Sequence, residues 1–333
     1  MIGQSLPRPT SKHRQRTLCG LLSSIGIILG AAIWLTTRFL TGSNLTILHP
    51  DLQQSLRSDL SPYNSKKIYV TDNQNAALTV PSNRGREGMV YLSYIIDHYD
   101  QLPDIVIFQH ANQYQWHNDD PLYDGKRMLE RLQLPYVLEE GYVNLRCVWT
   151  LGCQVEIRPV IEEAEMVPAA APSEQRAGWY YKEAFQYFFP DMPVPSEIGL
   201  SCCAQFAVTA TKLRERPKSD YEHYRRWLLE TPLADDLSGR IMEYSWHIIF
   251  GKEAVHCPDA QTCYCNVYGL CDVACEDQGV CMSQYTLPKS STLPHGWPEY
   301  GWDGEWRNVS QLRYQQAQDF RPTQSQKQVD VPP

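Results

Sequence analysis

The sequence predicts an α/β domain, a mostly parallel sheet flanked by helices, with a disulfide-rich C-terminal appendix and an N-terminal transmembrane helix. Three observations predict it. Strand, amphipathic helix and apolar strand follow one another through residues 67–111, and such a unit closes as a right-handed parallel crossover. Six of the eleven cysteines crowd into residues 257–281. An uncharged run, TLCGLLSSIGIILGAAIWLTT, fills residues 17–37, and about 20 apolar residues cross a bilayer.

The elements follow in order. Residues 1–16 form a basic tail with Arg8, Lys12, Arg14 and Arg16, which places the N-terminus in the cytosol and the rest in the lumen, as a type II single-pass anchor. A cleaved signal peptide is the competing reading, with Gly30-Ala31-Ala32 as its small-residue site. Residues 38–65 read as a stem, polar and interrupted by Pro50 and Pro62. Of two glycosylation sequons, Asn44-Leu45-Thr46 lies close to the membrane and Asn308-Val309-Ser310 is better placed.

The α/β domain is expected over residues 66–251. Strands are predicted at 67–71, 104–111, 142–149 and 204–209, the second and last apolar enough to be buried on both faces. Met89, Leu92, Ile95, Ile96 and Tyr99 give the helix at 89–99 one apolar face. Residues 154–176, acidic and Ala/Pro-rich, read as a surface excursion. An aromatic helix at 179–189 stops at Pro190. A capping box, Ser219 with Glu222, opens a helix to Thr231 that aligns Tyr221, Tyr224, Trp227 and Leu228. A nearly all-apolar helix over 239–250 has Ser238 as N-cap and Gly251 as its stop. The appendix spans 252–285. The tail, 286–333, is rich in Pro, Ser and Gln, with disorder expected after Asp319.

A formal charge of −8 argues against a nucleic-acid partner. Ten cysteines lie outside the apolar run, an even number that fits five disulfides in an oxidising compartment. The appendix lacks paired C-x-x-C knuckles, so disulfides are expected there rather than zinc. Cys202 and Cys203 are adjacent. Vicinal bridges are rare, so each is expected to pair elsewhere, Cys147 and Cys153 being the nearest candidates.

Three polar islands carry the chemistry. On the helix at 239–250, Arg240, Glu243 and His247 recur at i, i+3, i+7 and stack along one line. A carboxylate and an imidazole on a buried helix need each other or a cavity, which makes Glu243 and His247 the catalytic candidates and Arg240 a substrate contact. The turn Ser82–Glu87 presents Asn83, Arg84, Arg86 and Glu87 at a helix N-terminus, where backbone amides and arginines hold phosphate, and Gly85 permits close approach. Gln109 and His110 end a buried strand, the usual edge for a ligand crevice. The loop beyond offers Trp116, His117, Asp119 and Asp120 to substrate or to a divalent metal. Each island also has a structural reading: an ion pair closing a core helix, an ordinary helix start, a self-bonded loop.

The stretches NRGREGMVYLSYIIDHY, LPDIVIFQH, WHND, CCAQFAV, SGRIMEYSWHIIFG and CYCNVYGLC together resemble the fungal DUF3431 family, a family of unknown function. The order of strand, N-x-x-x-E helix, apolar strand, A-Q-F-x-V, aromatic helix and late E-x-x-W is also similar to inverting GT-A glycosyltransferases. That likeness implies a GT-A/Rossmann-like sheet and assigns the deprotonation of an acceptor hydroxyl to Glu243. No D-x-D follows a middle strand, so the likeness implies no metal cofactor, a nucleotide sugar as co-substrate, and basic side chains beside the diphosphate. The expected protein is a lumen-facing enzyme of the Golgi or ER that transfers sugar to a glycan or glycoprotein; a cell-surface or secreted location is the alternative. Two other functions stay open: a metal-dependent hydrolase or oxidase built on His110, His117, Asp119 and His247, and a non-enzymatic binding module.

Overall fold

The structure, a computed structural model, describes residues 45–49, 65–110 and 112–319. The basic tail, the apolar run, the Asn44 sequon and the tail beyond Asp319 lie outside the described residues. Among the described residues, no helix is long and apolar enough to cross a membrane.

The strands are β1 Leu45–His49, β2 Ser65–Ile68, β3 Ile105–Phe108, β4 Tyr142–Asn144, β5 Gly199–Leu200, β6 Phe206–Thr209, β7 Val255–His256, β8 Cys275–Asp277 and β9 Val280–Cys281. The helices are α1 Glu87–His98, α2 Gly125–Arg131, α3 Leu134–Glu140, α4 Pro159–Ala164, α5 Ala177–Phe188, α6 Ala210–Arg214, α7 Lys218–Glu230, α8 Asp235–Glu243, α9 Trp246–Ile249, α10 Ala260–Tyr268 and α11 Val309–Asp319.

The central sheet is mixed α/β architecture of order β2-β1-β3-β6-β4. It is not mostly parallel. β1 runs parallel to β2 and β3, whereas β6 runs antiparallel to both β3 and β4. An apolar run buried on both faces reads the same in either direction, so the direction of β6 was not in its residues. β1 lies within residues 38–65, the stretch expected to be stem, so the sheet recruits chain ahead of residue 66.

Side-chain alternation divides the interior in two. From β3, Val106 and Phe108 enter a core shared with α1, α5, α7, α8 and α9, while Ile105 and Ile107 enter one shared with α2, α3 and α10. The first core is aromatic: Tyr91 lies 4.7 Å from Phe108, and Phe206 5.4 Å from Phe250.

Residues 239–250 are not one helix. α8 begins earlier, with Asp235 and Asp236 in its first turn, where acids suit the positive end of the helix dipole. Ser245 Oγ donates to the Ile241 carbonyl at 2.8 Å, and after this local break the chain restarts as α9. Ser238 is inside α8 and donates to the Ala234 carbonyl at 3.1 Å instead of capping. α7 likewise opens at Lys218, after Pro217, without a side-chain cap. The strand expected at 142–149 ends at Asn144, because the Cys147 amide turns to Asp119 and that of Trp149 to Gly279.

Five bridges account for the ten described cysteines. Cys147–Cys263 and Cys153–Cys257 fasten the appendix to the domain across 116 and 104 residues, and Cys265–Cys271 and Cys275–Cys281 close short loops within it. A bridge closing a loop of ~100 residues removes roughly 4–5 kcal/mol of loop entropy from the unfolded chain. With Cys147 and Cys153 so engaged, Cys202 and Cys203 join to each other, contrary to expectation.

Candidate active site

The antiparallel course of β6 makes the site. It brings the segment leading into that strand, Cys202 to Gln205, to the carboxyl end of β3, with Phe108 opposite Phe206 in the register. The first residue of α1 and the last of α8 meet at the same edge. A pocket of about 260 Å³ opens there, and Arg86, Glu87, His110, Trp116, His117 and Glu243 are among its walls. All three polar islands contribute to it. A second, wider hollow of about 620 Å³ adjoins it and shares Arg86, Glu156, Arg240 and Tyr244.

Glu243 ends α8 with its carboxylate only 12% exposed. The Cys203 amide donates to its Oε1 at 2.8 Å, and Arg240 Nε lies 3.1 Å from its Oε2. Burial pushes its pKa up, and the attraction of Arg240 opposes this. Glu87 is also pushed up by burial, and it disfavours ionisation of Glu243. Two interacting carboxylates whose protonation burial favours are the kind of groups that transfer protons in active sites.

The imidazoles behave oppositely. Burial pulls His110 down to about 4 and His117 to about 2, so both are neutral in ordinary conditions. His110 Nε2 and His117 Nδ1 are buried without a hydrogen-bond partner, and the nearest approach to Glu87 Oε2 is 3.9 Å, from His110. The two rings stand 4.3 Å apart, with Trp116 4.1 Å from His117. Gln205 sets this pair: its Oε1 accepts from the His110 amide at 3.0 Å, and its Nε2 donates to the His117 carbonyl at 3.1 Å. Arg146 donates to the Trp116 carbonyl at 2.8 Å while lying 3.9 Å over Tyr285.

Four expected site residues lie elsewhere. Asn83 is exposed and does not line the pocket. Arg84 donates to the carbonyls of Leu229, Thr231 and Leu233, closing the end of α7 rather than holding phosphate. Gly85, at φ +63°, serves the same contact, since a Cβ there would meet Leu228 at 2.5 Å. Asp119 is buried and spent on the Cys147 amide and the Tyr264 hydroxyl, each at 2.6 Å. His247, released from its expected line by the break at Ser245, donates through Nε2 to the Ala254 carbonyl at 3.0 Å. The metal set drawn from His110, His117, Asp119 and His247 therefore does not assemble.

Three contributors had escaped the sequence. Tyr244 donates to Glu156 at 3.0 Å on the wall between the hollows. Gln205 carried one signal, a polar residue within the apolar run predicted as a buried strand over 204–209. The Cys202–Cys203 bridge sits in the pocket wall, where non-glycine residues Arg86, Cys203 and Ala204 adopt φ of 51°, 103° and 50°. Such conformations persist where the surroundings over-determine them, and they cluster at functional sites.

Fold and site define a mixed α/β protein with a paired-carboxylate pocket at the edge of its sheet. Residues 52–266, more than half of the chain, match the family described as "Protein of unknown function (DUF3431)", and the chain belongs to that family. No curated protein and no solved structure matches it.

Proposed function

We propose that this protein transfers a sugar from a nucleotide sugar to a hydroxyl of a glycan or glycoprotein, with Glu243 as the base. The observation that carries the reading is the meeting of residues 86–87, 110–117 and 240–243 around one pocket, with a buried carboxylate at Glu243 whose pKa burial pushes up. In this mechanism Glu243 takes the acceptor proton as the acceptor oxygen bonds to the anomeric carbon, and the bond to the diphosphate breaks on the opposite face. Arg86 and Arg240 stand where they offset the leaving diphosphate. Two adjoining hollows suit a two-substrate reaction. Five disulfides suit the lumenal side of a secretory membrane, reached through the apolar run as anchor.

Transfer from a panel of nucleotide sugars should be measured with the full chain and with Glu243→Gln. Loss of general-base catalysis should lower turnover by roughly 10²–10⁴-fold, while the donor still raises the melting temperature. Undiminished transfer by Glu243→Gln would remove the assignment.

A second reading is favoured by Glu87. With Glu243 it forms two carboxylates in one pocket, the equipment of a glycoside hydrolase, in which water replaces the acceptor. Product analysis with and without added acceptor separates transfer from hydrolysis.

A further inference from the structure

The same pocket wall contains a pair of sulfurs that sugar transfer does not use. The sulfurs of Cys202 and Cys203 and one oxygen of Glu243 all lie within 4.8 Å of one another. All three residues line the pocket, so both a small reductant and an ion have access to them. The arrangement is tied together locally, since the Cys203 amide holds the Glu243 carboxylate at 2.8 Å. Among the described residues this is the one grouping of three potential ligand side chains drawn from His, Cys, Asp and Glu. While the bridge is intact its sulfurs are neutral and bind metal poorly, because the thiolate is the ligand.

We infer that reduction of the Cys202–Cys203 bridge converts this corner of the pocket into a site for one soft divalent cation, held by two thiolates and the Glu243 carboxylate. A dithiol gives two electrons and two protons to the bridge and itself closes to a cyclic disulfide, leaving two thiols. The cation then binds both sulfurs, and the two thiol protons pass to solvent. Zn–S and Zn–O bonds of about 2.3 and 2.1 Å place tetrahedral ligand atoms about 3.5–3.8 Å apart, a spacing that two freed sulfurs beside this carboxylate reach through side-chain rotation. Two thiolates and one oxygen select zinc or cadmium over magnesium or calcium. The fourth position faces the cavity and is left to water or another ligand. A cation on the Glu243 carboxylate competes with the acceptor proton for its lone pairs, so the loaded pocket is a weaker base. The inference does not rest on sugar transfer, because its readout is metal uptake.

Full-length protein is reduced with dithiothreitol, desalted without oxygen and titrated with cadmium, following the thiolate-to-cadmium charge-transfer band. The double variant C202S/C203S treated in parallel retains the other eight bridge cysteines, so the difference between the two isolates this site. Reduced wild type should bind one more cadmium per chain than the double variant, and unreduced wild type should show no such increment. Glu243→Gln should weaken the extra site by roughly tenfold or more. X-ray absorption on cadmium-loaded wild type reduced only to two free thiols per chain, mapped to Cys202 and Cys203 by alkylation, supplies a readout independent of whether the serine variant folds, and two sulfurs with lighter atoms in the shell are expected. Equal uptake by the two proteins, or only an all-sulfur shell, would overturn the inference.

Discussion

The loop from Gln109 to Asp124 divides into two buried polar regions that differ in one respect. Around Asp119 to Asp124 every carboxylate is answered. Asp119 accepts from Cys147 and Tyr264, Asp120 from the Leu122 and Asp124 amides, and Asp124 caps α2 and pairs with Arg313. Around His110 and His117, a few residues away, Nε2 of one ring and Nδ1 of the other are buried with no partner. A satisfied network holds the fold. One left with open valences faces a cavity and waits for a ligand.

The contrast can be broken at four points. The largest effect is expected at Asp119→Ala, which strips the acceptor from a buried amide and a buried hydroxyl and leaves Arg146 without its nearby charge. A loss of about 3–5 kcal/mol in urea unfolding, bridges intact, is expected. A loss under about 1 kcal/mol would mean that the network is ornamental.

His247 comes next. Its pKa falls to about 4 in the fold because of burial, against an ordinary value near 6.5. The unfolded chain therefore binds the proton first, so this group costs nothing above pH ~6.5 and removes up to about 3 kcal/mol of stability as the pH falls to ~4. His247→Gln should flatten that part of the stability–pH curve. An unchanged slope would refute the burial argument.

Arg84→Ala should cost about 1–2 kcal/mol through the carbonyls it leaves at the end of α7, with nucleotide affinity unaltered. A selective loss of nucleotide binding would restore the phosphate role that the fold denies it. The smallest effect belongs to the pocket side. Glu87→Gln removes an acid whose ionisation burial disfavours, so stability at neutral pH should be unchanged or higher by up to about 1 kcal/mol. Because the folded pKa is raised, that gain should vanish in acid, where Glu87 is protonated in both states. Calorimetry across the pH range checks it, and a marked destabilisation would place Glu87 among the structural residues.

The pocket residues were readable to different depths. Glu243, His110, His117 and Arg86 were found because a charge or imidazole beside an apolar element is conspicuous wherever the chain folds. Arg84 and Asp119 were equally conspicuous and belong to the scaffold. Residue type announces that a polar group needs a partner, but the partners of Arg84 lie about 150 residues away, at Leu229 to Leu233. Gln205 was missed for the same reason. It acts through two backbone groups from a distant loop.

Sequence alone determined the α/β class, the aromatic helices, an even set of cysteines outside the apolar run and the carboxylate at Glu243, because these follow from local periodicity, composition and counting. Tertiary structure decided the reversed course of β6, the break at Ser245, the vicinal bridge and the identity of the satisfied carboxylates. Each of these is a choice among long-range partners, and the free energy that selects a partner is collected only when the chain has closed around it.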